Sequence, residues 1–221
     1  MSAPPFAYYG GKTKLAERIV SLLPRHGHYV EPFAGSLAIL LAKPRSTHET
    51  VNDLDGDLMN FWRVLRDRPQ DLVRAMELTP HSRAEHAEAL SRLELEVDEL
   101  ERARLVWVKL SQGRGGTMRT TGWRFYRKPS GTSLNMPAYL DAYARRVPAC
   151  AERLQGVSLE ARPALDVIRE YGRERDCLLY CDPPYLGETR ARNYRHEMVG
   201  AGEHRELSEA LHDCAATVVL S

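Results

Sequence analysis

An α/β fold built on a doubly wound sheet is what this sequence predicts, and three observations predict it. Short apolar runs stop at an acid or a turn, as in "HYVEPFAG" and "DCLLYCDPPY". Segments with apolar residues at helical spacing follow them. Strand and helix alternate closely, the pattern of a sheet whose crossovers are helices.

In chain order, "TKLAERIVSLL" places Leu15, Ile19, Leu22 and Leu23 on one helical face, with Thr13 as the start and Pro24 as the stop. "HYVEPFAG" reads as a short strand into a turn, "SLAILLAK" as a helix ended by Pro44, and "ETVND" as a second buried strand. "GDLMNFWRVLRD" is helical again. At Pro69 the alternation breaks off, and to about residue 111 the chain reads as strongly charged helix. "QGRGGTMRTTGWRFYRKPSGTSLNMP" suits a hairpin or ordered loop, because it mixes glycines, threonines, arginines and aromatics. A helix from Pro137 to about Leu154 leads back into "GVSLEARPALDVIREYG", a strand and a helix. "DCLLYCDPPY" is then a strand and turn, "EHRELSEALHDC" a helix and "ATVVLS" a strand. Residues 1–68 and 149–221 are thus expected to form the α/β domain, and residues 69–148 a largely helical insertion. Because "ATVVLS" is an apolar strand that finishes on the last residue, the chain reads as a fragment, or a short version, of a longer α/β domain.

At 221 residues the chain can bury one large core. Its formal net charge is only +1, but the charge is unevenly placed. Between residues 109 and 128 stand Lys109, Arg114, Arg119, Arg124, Arg127 and Lys128 with no acid, whereas residues 69–101 hold Glu85, Glu88, Glu94, Glu96, Asp98, Glu99 and Glu101. Such a stripe is either a localised phosphate-contacting surface or a solvated basic loop. Cys150, Cys177, Cys181 and Cys214 form no CxxC pair, which suits a reducing compartment, and Cys177 and Cys181 read as buried strand thiols and not as metal ligands. No metal site is expected, and His81 and His86 read as surface helix positions. The start "MSAPPFAYYGGK" is unlike a secretory signal and no run has the length of a membrane span, so a soluble, cytoplasmic protein is expected.

Four motifs carry the chemistry. "GGKT" invites a phosphate-loop reading, but that motif needs a further glycine where Phe6 stands, so the reading fails. "VEPFAGS" has the form of a strand ending in an acid and a glycine turn that opens a helix, an arrangement that binds adenosine-bearing cofactors; Gly35 could equally be a plain turn. In "VNDLDGDL", Asp53 is placed either to grip the two hydroxyls of a ribose or to cap the next helix. "DPPY" is the most specific. Asp182 projects a carboxylate, the Pro183 carbonyl is an acceptor without a competing N–H, and Tyr185 adds a flat face, which together suit the exocyclic amine of a flipped base.

The order "YYGGK", "VEPFAGS", "NDLDGDL", basic insertion and "DPPY" resembles the DNA adenine methylase (Dam) family of N6-adenine methyltransferases, and the resemblance covers almost the whole chain. "GTSLNMP" at the end of the insertion is similar to that family's GxFNxP segment. The resemblance implies a Rossmann-like, S-adenosylmethionine-dependent methyltransferase sheet with a DNA-recognition insertion, acting on double-stranded DNA. It assigns catalysis to Asp182, Pro183, Pro184 and Tyr185. Cofactor binding falls to Tyr8, Gly10, Gly11, Lys12, Glu31, Pro32, Phe33, Gly35, Asp53 and Asp182, with Lys12 near the methionine carboxylate and a group between Pro163 and Asp166 near the adenine. DNA contacts fall to Lys109, Arg114, Arg119, Trp123, Arg124, Arg127, Lys128 and Asn135. Arg114, Arg119 and Arg124 are the candidate guanine readers, and Trp123, Phe125 or Tyr126 either wedges into the duplex or packs. Leu37 departs from the pattern, since many members have a second glycine there. The competing readings are an inactive or truncated DNA-binding relative, a cytosine-N4 methyltransferase, which usually has serine before the prolines, and a ribosomal-RNA guanine-N2 methyltransferase, which lacks the GGK block and the insertion.

Overall fold

The computed structural model describes residues 2–125, 135–185 and 200–221. Five strands, β1 (His28–Glu31), β2 (His48–Asn52), β3 (Ser158–Glu160), β4 (Cys177–Cys181) and β5 (Thr217–Leu220), form one sheet in the order β3-β2-β1-β4-β5. Every pairing is parallel; His28 stands opposite both His48 and Cys177. From β1 the chain adds strands on one side, then crosses to add β4 and β5 on the other. The switch point therefore lies between β1 and β4, where open α/β sheets bind ligands at the strands' carboxyl ends.

Both faces are covered, as all-parallel strands require. Tyr29, Val51, Leu178 and Tyr180 point into the larger core, built with α3 (Gly56–Asp67) and α6 (Glu99–Gln112). Their neighbours Val30, Cys177, Leu179 and Cys181 point the other way, towards α9 (Ala164–Tyr171) and α10 (Ala201–His212). Cys177 and Cys181 are buried free thiols on β4, as their strand pattern implies. β5 lies at the edge of the described sheet, with Leu220 exposed.

The helices follow local chemistry. α3 spans the predicted stretch because Asp55 caps it, its carboxylate accepting from the Asp57 and Leu58 N–H groups. α1 (Ala16–Leu22) starts later than Thr13, and its inward face is Ala16, Ile19, Val20 and Leu23; Leu15 and Leu22 are 51% and 74% exposed. α2 (Ala38–Ala42) is a short buried helix ending before Pro44. The predicted helix over 137–154 is two, α7 (Met136–Ala144) and α8 (Val147–Leu154), parted at Arg145 and Arg146 just ahead of Pro148.

Residue 69 is not a break in the core. Leu72 and Met76 of α4 (Pro69–Glu77), Ala89 of α5 (Arg83–Arg92) and Trp107 of α6 share one cluster with Phe61, Trp62 and the sheet. The N-terminal segment crosses this core as a strap. Phe6 packs edge-on against Phe61 at 5.0 Å, the Trp107 indole donates to the Pro5 carbonyl (3.0 Å) and Arg146 donates to the Pro4 carbonyl (2.9 Å). A buried charge cluster ties β2 to α8: Glu49 accepts from Lys43 (2.7 Å) and from both terminal nitrogens of Arg153 (2.6 and 2.8 Å).

Candidate active site

The turn after β1 is over-determined. Asn52, at the end of β2, donates to the carbonyls of Pro32 and Arg162 (both 3.0 Å) and accepts from the Arg162 N–H (3.0 Å). The Gly35 N–H donates to Asp53 Oδ2 (2.9 Å), and the Trp62 indole donates to the Gly35 carbonyl (3.0 Å). Gly35 has φ of +48° and its missing side chain makes room for Tyr8, whose ring would lie 3.0 Å from a Cβ there. Leu37 also takes a left-handed conformation, φ 54°, at the position where the family pattern has glycine. A non-glycine residue adopts this at a cost of about 1–2 kcal/mol, offset here by complete burial of its side chain.

One cleft brings together Tyr8, Gly10, Gly11, Lys12, Glu31, Phe33, Gly35 and Asp182, all expected from the sequence, and adds Ser36 and Tyr180, which were not. Across it the Lys12 ammonium lies 2.6 Å from both Asp182 carboxylate oxygens, so the first motif of the chain is joined to the last. Burial lowers the tendency of Lys12 to hold its proton, but hydrogen bonds to Asp182 and Tyr185 outweigh it and the net shift is upward. Tyr185 is exposed, donates to Asp182 Oδ1 at 3.3 Å and lies under the Lys12 ammonium at 5.2 Å from its ring centre. Pro183 and Pro184 are buried behind it.

Glu31 closes the floor. Its Oε1 accepts from the Tyr29 hydroxyl (2.7 Å) and the Leu40 N–H (2.8 Å). Burial is the dominant influence on its carboxyl and pushes it up to about 7 despite those bonds. Asp53 is outside the cleft lining: its Oδ2 holds Gly35 and its Oδ1 accepts from the Asp55 N–H (3.0 Å), while Asp55 is the helix cap that Asp53 was weighed for. Pro32 lies just below the lining, bonded by Asn52. Pro163 begins α9 beside this turn.

The segment that follows α6 is anchored on the same site. A 3-10 turn at Arg114–Gly116 brings the Gly116 carbonyl to the Tyr9 N–H at 2.7 Å, and a Cβ on Gly116 would meet the Ala7 carbonyl oxygen at 2.6 Å. Arg114 and Arg119 are exposed. Arg124 is half-buried with its guanidinium 4.9 Å from the Tyr139 ring centre. Lys109 is a correction: at 5% exposure it is buried on α6 and offers no ammonium to a phosphate. Trp123 stacks against His81 (4.5 Å) and Phe125 (5.4 Å). Asn135 caps α7 by accepting from the Ala138 N–H. Arg127, Lys128 and Tyr126 lie outside the described residues. His86, expected on the surface, is buried on α5 with its Nε2 lacking a partner among the described residues, and burial together with the Lys109 charge lowers its pKa. His81 precedes α5 and bonds to the Arg124 carbonyl.

A parallel five-stranded sheet with a glycine turn, an acid and an aromatic converging at its switch point is consistent with a Rossmann-like methyltransferase fold. The chain matches the D12 class N6 adenine-specific DNA methyltransferase family over residues 8–219 and belongs to it. It is thus an adenine-specific DNA methyltransferase by family. It is 29% identical over 226 residues to the Type II methyltransferase M1.LlaDCHI of Lactococcus lactis subsp. cremoris, covering 95% of this chain and 75% of that one. It is 25% identical over 215 residues to the DNA adenine methylase of Vibrio cholerae serotype O1, covering 93% and 73%. Among the described residues no helix is long and apolar enough to cross a membrane.

Proposed function

We propose that this protein transfers a methyl group from S-adenosylmethionine to N6 of an adenine extruded from double-stranded DNA in the cytoplasm. The donor set of the cleft fits that cofactor. Lys12 complements a carboxylate and Asp182 an ammonium, as a methionine end requires, and Phe33 lines the same cleft. Tyr8, Gly10 and Gly11 would hold the methionine end with Lys12, and Glu31, Phe33 and Gly35 the adenosine side. Asp53 contributes by fixing the Gly35 turn from beneath, and the ribose hydroxyls would approach its carboxylate. S-Adenosylmethionine supplies a methyl group already activated on a sulfonium.

The protein's part is placement. Asp182 and the Pro183 carbonyl accept the two hydrogens of the adenine amine, which draws the nitrogen towards a tetrahedral shape and frees its lone pair. The proton that the nitrogen must lose is held at an Asp182 oxygen. Lys12, 2.6 Å from both oxygens, fixes that carboxylate in position, and Tyr185 stacks on the base to offset an unstacking cost of a few kcal/mol. The observation that carries the reading is this junction of Lys12, Asp182 and Tyr185 at the carboxyl end of β4.

The test incubates the protein with methyl-labelled S-adenosylmethionine and mixed-sequence DNA and digests the product to nucleosides. Label should appear in N6-methyladenine and be lost with Asp182→Ala. DNA binding without transfer would instead support the inactive relative.

A further inference from the structure

Acidic helix dominates residues 69–101, and the sequence gives no reason to look there for a DNA contact. Arg83, in the first turn of α5, is an exception. It is exposed, and its guanidinium carbon lies 4.8 Å from the Trp123 ring centre and 5.4 Å from that of Phe125. Those two rings are nearly parallel, at 17°, so they form a platform. His81 backs the platform at 4.5 Å from Trp123. Gln112 fastens it to α5: its Oε1 accepts from the Ser82 N–H (3.1 Å) and the Trp123 indole (3.4 Å), and its Nε2 donates to the Pro80 carbonyl (2.9 Å).

Stacking engages the face of a guanidinium and leaves the five in-plane N–H donors for another acceptor. Arg83 forms no ion pair among the described residues; the acid on its own helical turn, Glu85, is bonded by Arg104. Arg114, also exposed, passes alongside Gly122, the residue before Trp123, so two cations flank one turn of the recognition segment. An exposed guanidinium set beside that segment suits a phosphate oxygen pair.

We propose that Arg83 is a phosphate-contacting residue of the DNA interface, oriented by the Trp123–Phe125 platform, so that the interface extends from the recognition segment onto the start of α5. This rests on the reading of the protein as a DNA methyltransferase.

The experiment measures binding to a duplex containing adenine sites, by fluorescence anisotropy from 50 to 200 mM salt, for the wild type, Arg83→Ala and Arg83→Lys. Arg83→Ala should weaken binding about tenfold and reduce the slope of log affinity against log salt by about 0.9. Arg83→Lys should keep the slope, because a phosphate responds to charge. An unchanged slope in Arg83→Ala, with only a lowered melting temperature or altered Trp123 fluorescence, would make Arg83 a packing residue and overturn the proposal. Loss of sequence preference in Arg83→Lys would overturn it too, by assigning a base edge. Failure of the wild type to bind DNA would refute the broader reading and be distinguishable from either.

Discussion

Replacing Glu31 by glutamine tests the electrostatics of the cleft floor. Glu31 is 2% exposed, and burial raises its carboxyl from 4.5 to about 7. The folded protein therefore retains a proton that the unfolded chain releases, and stability falls as pH rises. The sign is that of an acid whose folded pKa is raised: the stability is fully present below 4.5 and is lost as pH passes about 7. At about 1.4 kcal/mol per pH unit, the full interval corresponds to about 3 kcal/mol, of which about 2 to 3 kcal/mol falls between pH 5 and 8. Glu31→Gln keeps an oxygen for the Tyr29 hydroxyl and Leu40 N–H and removes the ionisation. Urea unfolding of both proteins at half-unit steps from pH 5 to 8 gives the difference directly. The wild type should lose about 2 to 3 kcal/mol relative to Glu31→Gln across that range. Parallel stability curves would refute the argument, because they would mean that the carboxylate is accommodated as well in the floor of the cleft as in water.

Two further outcomes follow from the packing. Glu49→Gln should cost about 3–5 kcal/mol in thermal or urea unfolding, because Lys43 and Arg153 then face each other without a counter-charge; burial alone would raise the Glu49 pKa, but hydrogen bonds from Arg153 and Lys43 lower it, so in the wild type this contribution is lost as pH falls below the ordinary carboxylate range. Leu37→Gly relieves a left-handed backbone worth about 1–2 kcal/mol but empties a site whose filling is worth more, so a net loss of about 2 kcal/mol is expected, and a rise in the unfolding midpoint would contradict it.

Local signals carried the sheet and its principal helices. β1, β2 and β4 are short apolar runs closed by Glu31, Asn52 and Asp182, and α3 begins where Asp55 can cap it. The α1 face was misjudged because periodicity weighs large residues, whereas the close contact with α2 favours small Ala16 over Leu15 and Leu22. Charge counting failed at Lys109 and His86 for a related reason: a stripe in sequence is not a stripe in space, and α6 turns Lys109 inwards. The motif residues of the cleft were legible because each sits in its own short pattern. The Lys12–Asp182 pair was not, since its partners are 170 positions apart and only the assembled sheet brings them together. Tyr180 escaped notice because it reads as one more apolar strand residue.

The N-terminal strap has a consequence for biosynthesis. Pro4, Pro5 and Tyr9 are translated before the groups that receive them, namely Arg146, Trp107 and Gly116. These contacts can form only after α6 and then the start of α8 have been made, and contacts this distant in sequence form slowly. Lys12 waits longer still, for Asp182. The Lys12–Asp182 contact thus waits for β4 to join β1.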